Sequence, residues 1–349
     1  MSTPHDYVAA LRYWLRHARV GRNVNTHHLW SGDASGPAFV QAAQAFFDQS
    51  LRWGDCPVSV LRSQTAVDHR GLVFRARATE DSATHQLPAV LVSPVGPGDD
   101  GRIGHWAHVL KVSALEQGLP TYEFVAEVRA CRRAAQHRLL THPHLGLPVA
   151  AWVDVAAGRA FLLLRYFPGR VTTVHAAQFV DVLAGVAALH RAGMAHRDLK
   201  PENLRLDAQG RVRIIDFDSW TVSDWDSHTD VVTTLPFRAP EYLATTLLQR
   251  ASRELNSEAL DLWSLGCLAL MCEQVTPRAP FLVEPATEKA TLEKMVQHVQ
   301  RQEYLLLGMS ARDRATKYWC GSCYGLQLRP ENRWSAERWL RHLRARRAP

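Results

Sequence analysis

His196-Arg197-Asp198-Leu199-Lys200-Pro201-Glu202-Asn203-Leu204 brings a carboxylate, an ammonium and an amide within six residues. Asp198 can accept a proton from a hydroxyl nucleophile. Lys200 can neutralise charge on a moving phosphoryl group, and Asn203 can bind a metal through its amide oxygen. Downstream, the apolar run Val212-Arg213-Ile214-Ile215 ends in Asp216, followed by Phe217 and Asp218. A carboxylate at a strand end suits Mg²⁺, which prefers one or two carboxylates together with phosphate oxygens and water. An aspartate and a nearby asparagine say little alone. The nine-residue run with a second acid downstream says far more.

In order and spacing these residues match the catalytic loop and metal-binding motif of the protein kinases, and the chain resembles a eukaryotic-type Ser/Thr protein kinase. The resemblance implies an α+β, bilobed protein-kinase fold: a small lobe of five β-strands plus one helix, and a larger, mainly helical lobe. It also implies ATP and Mg²⁺ as cofactors, with ATP between the lobes. On the matching positions, Asp198, Lys200, Asn203 and Thr234 form the catalytic set, and Asp216 and Asn203 the metal ligands.

Upstream, Trp106-Ala107-His108-Val109-Leu110-Lys111-Val112 reads as a strand, and its Val-Leu-Lys resembles the family's lysine strand. Lys111 is then the cation on the α- and β-phosphates. Glu127, in the helix that follows, is its partner, with Glu123 one turn earlier as the reserve. A hairpin of Val58–Ser63 and Gly71–Ala76 is expected to cover the phosphates. Aligning the family's glycine motif on Gly71 and Val73 leaves Ala66 and Asp68 in two glycine positions. Gly96-Pro97-Gly98-Asp99-Asp100-Gly101 matches the glycine pattern outright, but residues 79–102 are expected to form a surface insertion. The buried run Ala160 to Gly169 matches the segment joining the lobes. It sets Leu164 at the back of the nucleotide pocket and Tyr166 where backbone meets adenine. A long helix from Ala176 to Arg191 then leads to the 196–204 run.

Downstream, Asp218 replaces the glycine of the family's Asp-Phe-Gly and gives up its backbone freedom. Thr234 and Ala239-Pro240-Glu241 resemble the end of an activation segment, as in the cyclin-dependent kinases. Thr234 with Lys200 is the Ser/Thr pattern. Asp261, in Asp-Leu-Trp-Ser-Leu-Gly, matches the aspartate that holds the catalytic-loop backbone, and Arg333 the arginine that pairs with Glu241. By the resemblance, Thr229, five residues before Thr234, matches the position phosphorylated in the cyclin-dependent kinases, which implies a phosphate pairing with Arg197; Asp224, Asp226 and Asp230 around it are the alternative anions.

The domain reading is an N-terminal helical extension over 1–55 and a kinase domain over 56–346, with the small lobe at 56–165 and the large lobe at 170–346. Residues 5–20 and 37–51 have helical apolar spacing, and 23–36 are polar and turn-rich. The extension is a possible docking surface for a partner. No eighteen-residue apolar run predicts a membrane span, and Met1 to Asp6 lack a signal-peptide pattern. A cytoplasmic location is therefore expected. The net charge of +7 comes mainly from scattered arginines, which argues for a solvated surface and against nucleic acid. Six cysteines in a chain of 349 residues suggest no disulfide framework, and Cys320-Gly321-Ser322-Cys323 reads as two reduced thiols rather than half a zinc site. The function expected is transfer of the ATP γ-phosphoryl to Ser or Thr of a protein. The rivals are a partner-binding pseudokinase, suggested by Asp68 and Asp218, and a kinase acting on small molecules.

Overall fold

A computed structural model describes residues 19–20, 26–31, 64–67, 73–78, 89–95, 108–115, 120–154, 159–222, 234–247, 255–284, 286–317 and 319–347. The chain divides into two compact units. One comprises Thr3–Ala135 and Gly146–Tyr166, the other chiefly Gln136–Leu145 and Phe167–Pro349.

Among the described residues, the first unit is an antiparallel sheet of eight strands. These are β1 (Arg19–Val20), β2 (Thr26–Ser31), β3 (Gln64–Val67), β4 (Val73–Ala78), β5 (Ala89–Val95), β6 (His108–Ala114), β7 (Pro148–Asp154) and β8 (Arg159–Arg165). Their order across the sheet is β1-β2-β7-β8-β6-β5-β4-β3. Helix α1 (Tyr122–Gln136) covers one face, burying Phe124, Val125 and Val128 against Ala151, Val153, Ala160, Leu162 and Leu164. Side chains alternate along a strand, so Val109 of β6, which packs on this cluster, shares its face with Lys111.

Three expectations are corrected here. The small lobe has more than five strands, because β1 and β2 extend the sheet beyond β7. Thr26 to Ser31 pair with Asp154 to Ala150 around an irregularity between His28 and Trp30. Residues 1–55 are therefore not simply a helical extension. Thr26-His27-His28-Leu29-Trp30-Ser31 has β-formers in a polar setting, and it is pairing with β7 that makes it a strand. The helix expected over 5–20 is contradicted at its end, where Arg19–Val20 form β1 paired with His28 and His27; the rest of it, and the helix expected over 37–51, lie outside the described residues.

The second correction concerns 79–102, which is not a pure insertion. Ala89-Val90-Leu91-Val92-Ser93-Pro94-Val95 forms β5, paired with β4 on one side and β6 on the other. Its β-branched run is a strand signal that stands directly before a Pro/Gly-rich stretch. The third concerns the boundary. Gln136–Leu145 belongs with the larger unit, where Ile214 donates its N–H to His144 O at 2.9 Å and Arg213 Nη1 to His142 O at 3.2 Å.

The second unit is mainly helical. Its helices are α2 (Ala176–Arg191), α3 (Pro240–Leu247), α4 (Ser257–Gln274), α5 (Glu288–Leu307), α6 (Ala311–Lys317), α7 (Ser322–Gly325) and α8 (Ala336–Arg347). Short strands β9 (Gly169–Arg170), β11 (Leu204–Leu206) and β12 (Val212–Ile214) make one small sheet, and β10 (Met194–Ala195) pairs with β13 (Thr221–Val222). Helix α4 is buried along almost its whole length, as a helix apolar on every side must be. Asn256 caps its start, accepting the Ala259 N–H at 3.2 Å. Gly266 lets α7 approach, because a Cβ there would lie 2.8 Å from the Leu326 nitrogen. Trp339 of α8 packs edge-on against Phe179 of α2, with ring centroids 5.4 Å apart.

Glu273, in the last turn of α4, accepts hydrogen bonds from the Ser322 N–H (3.1 Å) and hydroxyl. Burial pushes its carboxyl up to about 7, although these and neighbouring hydrogen bonds pull the other way. A raised carboxyl pKa makes the folded state bind the extra proton. Its stabilisation is thus complete below the unfolded pKa of about 4.3 and disappears as pH rises through about 7. Unfolding free energy should accordingly fall by about 3 kcal/mol between pH 4.5 and 7.5 on this account. Denaturant titrations at several pH values should show that slope reduced in Glu273→Gln; an equal slope would remove Glu273 as its source.

Candidate active site

The 196–204 loop is held from beneath by one buried carboxylate. Asp261 of α4, fully buried, accepts the N–H of His196 at 2.8 Å through Oδ2 and that of Arg197 at 2.7 Å through Oδ1. Arg197 is thereby fixed at φ 71°, an uncommon conformation for a residue with a side chain. The His196 ring lies 2.9 Å from Ile215 O through Nε2 and 5.0 Å from the ring of buried Phe217. The loop and the Asp216 segment are therefore pinned together. Asp216 itself has φ 68°. Positive φ falls on the carboxylate, not on Asp218, whose side chain accepts from Ser219 Oγ at 3.0 Å.

Four donors converge on Asp198. Oδ1 accepts the Thr234 N–H and hydroxyl, both at 3.1 Å, while Oδ2 lies 2.7 Å from Lys200 Nζ and 3.1 Å from Asn203 Nδ2. Lys200 Nζ also donates to Thr234 Oγ1 at 2.7 Å. Asn203 Nδ2 donates in addition to Asp198 O at 2.9 Å, which turns its amide oxygen the other way. The Ile215 N–H donates to Asn203 O at 2.9 Å, so the residue before Asp216 is tied to Asn203. A carboxylate and an amide oxygen are hard ligands of the kind Mg²⁺ accepts; the donor set fits that ion.

In the other unit, Lys111 Nζ meets Glu127 Oε1 at 2.7 Å, with the glutamate side chain 4% exposed. Glu127 lies on the buried face of α1, whereas Glu123 is exposed. Burial first, and then this neighbouring carboxylate, raise the Cys131 thiol one turn on. Leu164 is buried in β8 opposite Val109 of β6, and Tyr166 follows the strand, half-buried. Gly71 and Asp68 lie outside the described residues. Val73 opens β4 opposite Val67, with β5 between β4 and the Lys111 strand.

Comparison with known proteins places this geometry. Residues 167–343 match the family model of the protein kinase domain, just over half of the chain. The chain belongs to the protein kinase family. The chain is also similar to the hormonally up-regulated neu tumor-associated kinase of Mus musculus, at 34% identity over 132 residues, which covers 38% of this chain and 18% of that protein. A ribosomal protein S6 kinase beta of Caenorhabditis elegans is 32% identical over 154 residues, covering 40% of this chain and 26% of that one. The chain thus spans about a fifth to a quarter of the length of these curated relatives.

Some supports of the kinase site were not read from the sequence. His190 Nε2, at the end of α2, lies 2.9 Å from Asp261 Oδ2. Ser264 Oγ donates to Phe237 O at 3.0 Å, and Arg238 Nη1 to Glu288 Oε1 at 2.7 Å. Their partners are 71, 27 and 50 residues away, and no local pattern announces such pairs.

Proposed function

We propose that this chain is an ATP-dependent protein serine/threonine kinase. The observation that carries the reading is the convergence of Lys200 Nζ on both Asp198 Oδ2 and Thr234 Oγ1. It links a carboxylate able to take a hydroxyl proton to a cation able to meet phosphoryl charge, through a threonine on a second segment. Asp198 orients the Ser or Thr hydroxyl and accepts its proton as that oxygen attacks the γ-phosphorus in line; the bond to the β-phosphate oxygen breaks and ADP leaves. Lys200 offsets charge on the transferring group. Lys111, steadied by Glu127, holds the α- and β-phosphates, with Leu164 and Tyr166 on the adenine side. Asp216 and Asn203 would hold Mg²⁺, which when bound neutralises phosphate charge. With β5 beside the lysine strand, support for a phosphate-covering role of Gly71 and Val73 falls away.

A cytoplasmic setting and a protein substrate are part of the same proposal; no helix among the described residues is long and apolar enough to cross a membrane. A partner-binding pseudokinase would have no use for the Lys200–Asp198–Thr234 arrangement. A small-molecule kinase would have no need of Thr234 and Ala239-Pro240-Glu241. Acid hydrolysis of a labelled generic protein substrate tests the choice: label on phosphoserine or phosphothreonine is expected, and label confined to a small-molecule acceptor would reject protein phosphorylation.

Control of this activity is proposed to run through Thr229, which lies outside the described residues. A phosphate there brings roughly two negative charges to the Arg197 guanidinium. Thr229→Ala should then lose most of its activity, with phosphate found on Thr229 by mass spectrometry of active protein. Full activity in that variant would transfer the role to Asp226 or Asp230, and Asp226→Asn or Asp230→Asn would become the damaging change.

A further inference from the structure

Two thiols outside the site stand nearly in contact. Cys272 Sγ, in the last turn of α4, lies 3.3 Å from Cys320 Sγ, which is 48 residues further along the chain and just before α7. Both residues are buried, and the structure contains no disulfide between them. Neighbouring bonds set their positions. Glu273, next to Cys272, accepts from the backbone N–H of Ser322, two residues past Cys320. The Cys320 carbonyl accepts Trp339 Nε1 at 2.7 Å. The two sulfurs are thus braced on both sides by hydrogen bonds that do not involve them.

We propose that Cys272 and Cys320 are an oxidative modification site, joined into an intramolecular disulfide by a two-electron oxidant such as hydrogen peroxide. An S–S bond is about 2.05 Å long, so the sulfurs need to close by roughly 1.2 Å. In the first step one thiolate attacks a peroxide oxygen, breaking the O–O bond and giving a sulfenic acid and water. The second sulfur then attacks the sulfenic sulfur and expels its oxygen as a second water. Two thiols are oxidised, one peroxide is reduced, and the two thiol protons leave in the waters. Burial limits the access of peroxide to both sulfurs, so the reaction is slow compared with that of an exposed, activated cysteine.

Cys323 is the natural competitor, lying three residues from Cys320 in the Cys-x-x-Cys pair. Burial and then the Glu273 charge push its thiol up to about 12, which makes it a poor nucleophile. The contact between Cys272 and Cys320 therefore decides the product. The cross-link would staple α4, which carries the loop-holding Asp261, to the segment leading into α7. It closes a loop of chain that contains α5 and α6, and constraining the unfolded chain in this way stabilises the fold.

The experiment treats the full chain with hydrogen peroxide, blocks remaining thiols with N-ethylmaleimide after denaturation, digests without reductant and maps the product by fragmentation mass spectrometry. A loss of two hydrogens is expected, with the peptide of Cys272 joined to that of Cys320 and released by dithiothreitol. The thermal midpoint of cross-linked protein should rise by roughly 5 °C or more. Cys323→Ala should form the same cross-link, whereas Cys272→Ala and Cys320→Ala should not. A Cys320–Cys323 bond in the wild-type chain, sulfinic acid at either thiol, or maleimide on both would overturn the proposal. An unchanged or lowered midpoint in the cross-linked protein would overturn its stapling role. None of these readouts depends on phosphoryl transfer.

Discussion

Asp198→Ala should lower phosphoryl transfer by on the order of 10³-fold or more while leaving nucleotide binding nearly intact. The reason lies in what Asp198 touches. Its carboxylate gathers Lys200, Asn203 and Thr234 through four hydrogen bonds or ion contacts. Removing it takes away the proton acceptor and scatters the groups around it. Lys111→Met should give a different pattern. Lys111 sits in the other unit, paired with buried Glu127, and its proposed partner is the nucleotide. Both transfer and nucleotide affinity should then fall, and KM for ATP should rise. Steady-state kinetics combined with direct nucleotide titration separates the two variants. Equal loss of binding in both would contradict the division of roles.

The second large effect is structural. Glu241 and Arg333 form a bidentate ion pair, with both N···O distances 2.7 Å and the arginine side chain fully buried. Arg333 also donates to Ala259 O at 2.7 Å and Gln327 O at 3.0 Å, and its guanidinium lies over the Trp263 ring at 5.3 Å. It ties α3, α4 and the approach to α8 together. Glu241→Ala leaves a buried guanidinium without its carboxylate, which typically costs about 3–5 kcal/mol. The denaturant midpoint should fall accordingly with an unchanged slope. A loss below about 1 kcal/mol would mean that the backbone carbonyls suffice to hold the arginine.

The larger unit was legible because its signals are local or motif-like. Asp198, Lys200 and Asn203 lie within one short run, and the strand-end position of Asp216 follows from the apolar residues before it. The positions of Thr234, Asp261, Glu241 and Arg333 came from the resemblance, and their contacts are those found in the folded chain. The smaller unit was read less well. β5 was hidden because the Pro/Gly-rich stretch after it drew attention to turn chemistry. β2 was hidden because it gains its structure from pairing with β1 and β7 rather than from its own residues. His190 could not have been found at all. A histidine near a helix end has no local mark to show that it will meet a carboxylate 71 residues away.

The central claim is that the Asp198–Lys200–Thr234 arrangement transfers phosphate. Its most direct test is to incubate the purified wild-type chain and Asp198→Ala side by side with γ-labelled ATP, Mg²⁺ and a generic basic protein. Time-dependent label on the protein with the wild type, and only background with Asp198→Ala, is the predicted result. A folded wild-type chain that labels neither itself nor the substrate would contradict it, and would leave a partner-binding pseudokinase as the reading.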